Sequence, residues 1–282
     1  MRIIELKISS KDNGRQIRDF LRDFGVSSAL LTKLKNTENG ITKNGEFART
    51  IDKIFTGDTI KISIENKGKM PEKLITDDVK PVYSDEDILV LNKPAFMPVH
   101  ESRNHRGDTL ANAAACYMDS DTAFRAVYRL DRDTSGLVLI AKNELAACKL
   151  AGKIHKDYYA VCSGVLKGKG TIDLPIRRVC ESIIERGVFS DGEKAVTHWE
   201  AVSNKSNTTL LKINLETGRT HQIRVHFAHL GYPLLGDTLY GGNTDLIKRQ
   251  ALHCKTICFT HPITNKEMAI ECDFPNDFKG LI

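Results

Sequence analysis

No stretch of the 282 residues approaches the roughly 18 uninterrupted apolar positions that a membrane-spanning helix needs. The N-terminus, Met1-Arg2-Ile3-Ile4-Glu5, also lacks the apolar core and small-residue cleavage site of an export signal. Membrane insertion and secretion are therefore not expected, and a cytoplasmic protein is. Cysteine is sparse: the seven residues, an odd number, are scattered from Cys116 to Cys272 without a CxxC pair. That usage suits reduced thiols in a cytosol, and the nearest pair, Cys254 and Cys258, reads as core packing. Glycine-rich phosphate loops of the GxxxxGK[ST] or GxGxxG kind are missing, which removes support for nucleoside triphosphates and dinucleotides. Gly-x-Ser-x-Gly is missing too, which counts against a serine hydrolase. Neither an internal repeat nor a low-complexity tract is present.

What is there is ordinary globular composition, 41% hydrophobic and 27% charged. The net charge of +5 is unevenly placed: residues 1–69 carry 14 Lys and Arg against 9 Asp and Glu, whereas the remainder carries 27 of each. Positive charge gathered in one small segment suits a module that meets a polyanion, and equally suits a solvated basic face.

Ile17, Phe20, Leu21 and Phe24 fall at i, i+3, i+4 and i+7, which predicts a short amphipathic helix from Arg15 to Phe24. A second begins near Ser27-Ser28 and carries Leu30, Leu31 and Leu34. Asn39-Gly40, Asn44-Gly45 and Gly57-Asp58 then punctuate short strands, among them the alternating Ile60, Ile62 and Ile64. The polar, Pro- and Gly-punctuated stretch over 67–80 reads as a linker. The division expected is a small α/β RNA-binding unit over 1–66, that linker, and a larger unit over 81–282. Strand-like runs dominate the latter, at 88–91, 137–141, 158–165, 196–202 and 210–215, with helices expected at 144–155 and 221–230. The fold class is α+β with a mixed, mostly antiparallel sheet.

The densest polar cluster, Tyr128 to Gly136, runs directly into the apolar strand at Leu137. Asp131, flanked by Arg129 and Arg132, is expected to stay ionised and to serve as nucleophile or base, or else as a salt-bridged loop carboxylate. Asp133 opens Asp-Thr-Ser-Gly, a type I turn pattern, and reads as structural. A second cluster, Glu216 to His226, joins a strand to a polar-headed helix whose start, beside Arg219 and Arg224, suits a phosphate or a carboxylate. Arg224, next to Ile223, is placed either to pair with Asp131 or, like Arg219, to remain a surface cation. His221, His226 and His229 in the spacing H-x4-H-x2-H lack a hydrolytic zinc pattern, so they are read as hydrogen-bonding or phosphate-contacting residues, and no metal is expected.

Arg129-Leu130-Asp131 with Thr134-Ser135-Gly136 resembles the second motif of the RluA-type pseudouridine synthases. Asp87 to Pro94 resembles the first motif, Lys156 to Val161 the segment with the active-site tyrosine, and Gly218 to His226, continuing through Pro233 to Asp237, the third. The resemblance covers roughly 80–275, and residues 1–65 resemble, more weakly, the α-L RNA-binding module named after a small-subunit ribosomal protein. It implies a cofactor-free isomerase that flips a uridine out of structured RNA. Asp131 would attack the anomeric carbon or abstract the 2′ proton, Arg224 would hold its charge, Tyr158 would stack on uracil and help proton transfer, and Arg129 would fill the gap left by the base. Arg132, Arg219, His221, Lys93, Arg15 and Lys33 are expected to contact RNA. Large-subunit ribosomal RNA is the first expected substrate and tRNA the second, with the protein a monomer. Tyr128 stands where the family usually has histidine, and Phe96 where glycine is common. A noncatalytic RNA-binding or ribosome-assembly protein and an N-glycosidase-like hydrolase are the rival readings.

Overall fold

Three isoleucines two residues apart need one buried face, and the two short helices beside them supply it. The computed structural model describes residues 1–65, 68–180 and 184–282. Its first unit contains β1 (Arg2–Lys7), α1 (Ile17–Asp23), α2 (Ser28–Asn36), β2 (Ile41–Lys43), β3 (Glu46–Phe47) and β4 (Thr59–Ile64). The antiparallel sheet has the order β1-β4-β2-β3. Ile60, Ile62 and Ile64 of β4 meet Ile17, Leu21, Leu30, Leu31 and Leu34 of the helices in one core. Ser27 caps α2 by accepting from the Leu30 N–H. Asn44 and Gly45, both at positive φ (54° and 91°), make the tight β2–β3 hairpin.

Residues 68–80 form no helix or strand, yet they are fastened down. Gly68 N donates to Asp121 O at 3.0 Å, Leu74 N to Asn112 O at 3.0 Å, and Tyr117 Oη to Val79 O at 2.9 Å. The composition that reads as a linker thus marks irregular backbone laid along the second unit.

That unit holds β5 (Pro81–Ser84), β6 (Ile88–Lys93), α3 (Leu110–Ala114), β7 (Ser135–Ala141), α4 (Glu144–Leu150), β8 (His155–Ser163), β9 (Lys169–Asp173), β10 (Ile176–Arg178), β11 (Arg186–Val188), β12 (Val196–Lys205), β13 (Thr208–Leu215), α5 (Gln222–His229), β14 (Leu252–Thr260), β15 (Glu267–Glu271) and α6 (Asn276–Lys279). The main sheet runs β5-β6-β7-β14-β8-β13-β12-β9, with β15 added to β14 and β10–β11 as a separate hairpin. All its pairings are antiparallel except β7 with β14. There Gly136, at φ +118°, is obligatory, because a Cβ would lie 2.2 Å from the Cys254 carbonyl oxygen. Helix α4 stops at Leu150, short of the expected His155, since Gly152 turns left-handed (φ 71°) and His155 already pairs in β8.

The two units touch through side chains of both. Leu145 of α4 completes the first core, and the Lys149 ammonium lies 4.1 Å from the Phe24 ring centroid. Arg2 holds the buried Asp87 with two bonds of 2.9 Å. Among the described residues no helix is long and apolar enough to cross a membrane.

Candidate active site

Asp131 lies on the turn that feeds β7. Thr134 N–H donates to the Asp131 carbonyl at 3.1 Å, so Arg132 and Asp133 are its central residues. The turn expected to open at Asp133 starts two residues earlier because Ser135 and Gly136 are already paired with His253 and Cys254. Asp133 instead accepts a fork from Arg132 at 2.7 and 3.0 Å.

The expectation that Lys93 meets RNA is corrected by its position under this turn. Its side chain is fully buried, and Nζ donates to the carbonyls of Pro94, Met97 and Arg132, each at 2.8 Å. Burial pulls the ammonium down to about 7, against the opposing pull of Asp133 and Asp131. Lys93 is a strut that ties β6 to the Asp131 turn.

Helix α5 delivers the cation. Arg224 is buried; its Nε and Nη2 hold the carboxylate of Asp237 at 2.7 and 2.9 Å, and Nη1 donates to Asp131 Oδ2 at 3.1 Å. Burial disfavours this charge, yet the hydrogen bonds and charges of Asp237 and Asp131 outweigh it and the guanidinium is raised above its ordinary value. The planar fork therefore presents one rigid donor edge to Asp131. Gln222 organises the loop before α5, accepting from Thr217 Oγ1 (2.8 Å) and Arg219 N (3.0 Å) while donating to Val196 O (2.9 Å).

Tyr158 comes from β8, buried between Ile213 of β13 and Cys254 of β14. Burial raises its phenol well above the ordinary value, keeping it protonated. Asp131, Tyr158, Gln222 and Arg224 line one cleft of about 760 Å³, as do Arg129, Arg132, Arg219 and His221. Arg129 and Arg132 are exposed at the rim. Arg219 donates to Lys194 O at 3.0 Å and pairs with Glu193.

Arg15 and Lys33 are elsewhere. Arg15 is tied to Asp12 and Asp23 within the first unit, and Lys33 pairs with Glu144 of the second. The three histidines diverge: His226 is buried against Thr197 Oγ1 and Leu174 O, both at 2.9 Å, and His229 is exposed, whereas His221 faces the cleft.

Sequence reasoning missed Asp237 as the main partner of Arg224, although the turn signal Gly236-Asp237 follows α5 closely. It also missed Tyr240, which meets His221, and Lys156, whose ammonium lies 4.7 Å from the Tyr128 ring centroid in the cleft wall. Tyr128 itself donates to Leu137 O at 2.8 Å, so its ring is fixed beside the site. His100 and Glu101 also line the cleft and had no sequence signal.

Residues 87–229 match the RNA pseudouridylate synthase family. The uncharacterized RNA pseudouridine synthase YjbO of Bacillus subtilis is 38% identical over 283 residues, covering 94% of this chain and 98% of its own. Ribosomal large subunit pseudouridine synthase D of Haemophilus influenzae is 37% identical over 253 residues, covering 82% of this chain and 78% of its own. Among solved structures, human RNA pseudouridylate synthase domain containing 1 superposes with a TM-score of 0.58 at 25% identity, covering 72% of this chain and 86% of that one. With a cleft that joins a carboxylate, a buried arginine and a buried tyrosine, and with relatives matching almost end to end, the chain belongs to the RNA pseudouridylate synthase family.

Proposed function

We propose that this protein isomerises uridine to pseudouridine in structured RNA, with large-subunit ribosomal RNA as substrate, as a cytoplasmic monomer. The observation that carries the reading is the Arg224–Asp131 contact of 3.1 Å at the open cleft beside Tyr158. The reaction breaks the C1′–N1 bond, turns the uracil, forms the C1′–C5 bond and moves the C5 proton off carbon while N1 regains one. Atoms balance without a cofactor. Asp131 supplies the carboxylate at the ribose, by attack on C1′ or by abstraction of the 2′ proton. Tyr158 provides a stacking face for the flipped uracil and a protonated hydroxyl near it. Arg129, exposed at the rim, fills the gap in the RNA stack, Arg132 and Arg219 meet the flanking nucleotides, and His221 meets the RNA at the target ribose beside Asp131. The relatives in Haemophilus influenzae and Pseudomonas aeruginosa are ribosomal large subunit pseudouridine synthases, which supports that RNA over tRNA.

The test is tritium release from RNA labelled at carbon 5 of uracil. Wild type releases tritium and Asp131→Ala does not; free uracil among the products points instead to a hydrolase, and silence from both proteins ends the claim. Mapping pseudouridine in total RNA from a strain lacking the protein identifies the substrate, and loss confined to tRNA overturns the ribosomal assignment.

A further inference from the structure

We propose that Tyr240 is a positioning residue that fixes His221 as the tautomer protonated at Nε2, so that an oriented hydrogen-bond donor faces the Asp131 carboxylate from the start of α5. The purpose of that donor rests on the function proposed above; the tautomer does not.

Hydrogen-bond direction carries the tautomer. A backbone N–H can only donate, and that of Arg186 on β11 reaches the Tyr240 hydroxyl oxygen at 3.0 Å. The hydroxyl keeps its own proton for a second partner, and that partner is His221 Nδ1 at 2.9 Å. With Nδ1 accepting, the neutral ring carries its proton on Nε2. In the reverse arrangement the hydroxyl oxygen takes two donors, and its own proton meets no acceptor among the described residues. With Nδ1 accepting, the hydroxyl uses its acceptor and its donor at once, so both of its observed contacts are hydrogen bonds.

The surroundings support a fixed, neutral ring. His221 stands edge-on to Tyr240, with centroids 5.7 Å apart and planes at 81°. Its backbone is left-handed (φ 58°), rare for a non-glycine residue and of the kind found where a site is held in place. Burial lowers the imidazole, Asp131 opposes this, and Arg224 adds to it. Nε2 lies 3.9 Å from Asp131 Oδ2, too far for a direct bond. That gap is one a ribose hydroxyl or a small rotation of Asp131 closes. Tyr240 also underlies Arg224, whose Cζ is 5.0 Å from the ring centroid. One phenol thus ties the β10–β11 hairpin to both groups that face the carboxylate.

The tautomer is read from long-range proton–nitrogen correlation spectra of protein labelled with 15N-histidine, with the His221 signals assigned through His221→Gln. A single Nε2-protonated form is expected in wild type and a mixture in Tyr240→Phe. In the tritium assay, Tyr240→Phe lowers kcat about tenfold with KM within about twofold, and His221→Ala lowers kcat about 100-fold, the scale of one lost oriented donor. His221→Gln, which carries an N–H near the Nε2 position, recovers most of that loss. Nδ1 protonation in wild type, or a Tyr240→Phe protein with unchanged spectrum and kcat, overturns the proposal, and a His221→Gln protein no better than His221→Ala overturns the donor role. Absence of tritium release from wild type sinks the functional reading alone and leaves the spectrum to decide the tautomer.

Discussion

Phe96 holds a left-handed backbone, φ 64°, while the residue is 58% exposed. A side chain in that region costs about 1–2 kcal/mol, and little burial of the ring offsets it. The sequence marks the position as one where the family commonly carries glycine, and the backbone supplies the reason. Phe96→Gly is expected to raise stability by about 0.5–1 kcal/mol, the relief of strain less the greater freedom of glycine in the unfolded chain. Phe96→Ala keeps the strain and should leave the urea midpoint nearly unchanged; equal midpoints for both variants would show the loop is not strained. Asp131 and Arg224 were legible because each is a charge placed against an apolar run, which water alone would not favour. Lys93 was misread for the same reason in reverse. A lysine that ends an apolar strand gives no sign of where its ammonium points, and its three carbonyl acceptors include Arg132, 39 residues away. Asp237 was hidden likewise, since its bond to Arg224 depends on how the chain folds back after α5.

Among the elements, the five strand-like runs and both N-terminal helices were readable from periodicity, but β14, in the middle of the main sheet, was not. Its buried positions Leu252, Cys254, Ile257 and Phe259 change phase at the bulge between Cys254 and Thr256, so the period-2 pattern breaks in mid-strand. His253 and Lys255 further disguise it. His253 is buried there, its Nδ1 2.9 Å from Ser135 Oγ on β7 and its Nε2 3.4 Å from Cys272 Sγ. Burial, with Arg249 and Lys255 adding to it, pulls this imidazole down to about 3. The unfolded chain then takes up a proton below about pH 6.5 that the native state refuses until about 3, so stability falls as pH drops through that window. Between about pH 7 and about pH 4.5 wild type is expected to lose about 2–3 kcal/mol that His253→Gln does not lose, measured by urea unfolding at both values. Parallel losses in the two proteins would show that His253 is not the group that titrates.

At the scale of the whole molecule, the basic N-terminal unit is fastened to the catalytic unit through a buried charge. The Asp87 side chain is 5% exposed, and its carboxylate takes two bonds from Arg2 and one from Asn143 at 2.8 Å. Asp87 also sits at the mouth of β6, whose far end is the Lys93 strut, so the clasp and the Asp131 turn share one strand. Arg2→Met leaves that carboxylate short of its cation and should cost about 3 kcal/mol, whereas Asp87→Asn, which removes the charge, costs less. The double variant should resemble Asp87→Asn alone, giving a coupling energy of about 3 kcal/mol in the cycle, equal to the cost of Arg2→Met by itself. Additive effects would mean that Arg2 contributes nothing through Asp87. The same clasp decides how RNA binding by residues 1–66 must be tested. Deleting them would leave Asp87 without its cation and uncover Leu145, so lost affinity would mix damage to the second unit with lost phosphate contacts. Neutralising Lys35 and Arg22, on the helices of the first unit, leaves the clasp intact, and a shallower salt dependence of RNA affinity is then the expected mark of a phosphate-binding face.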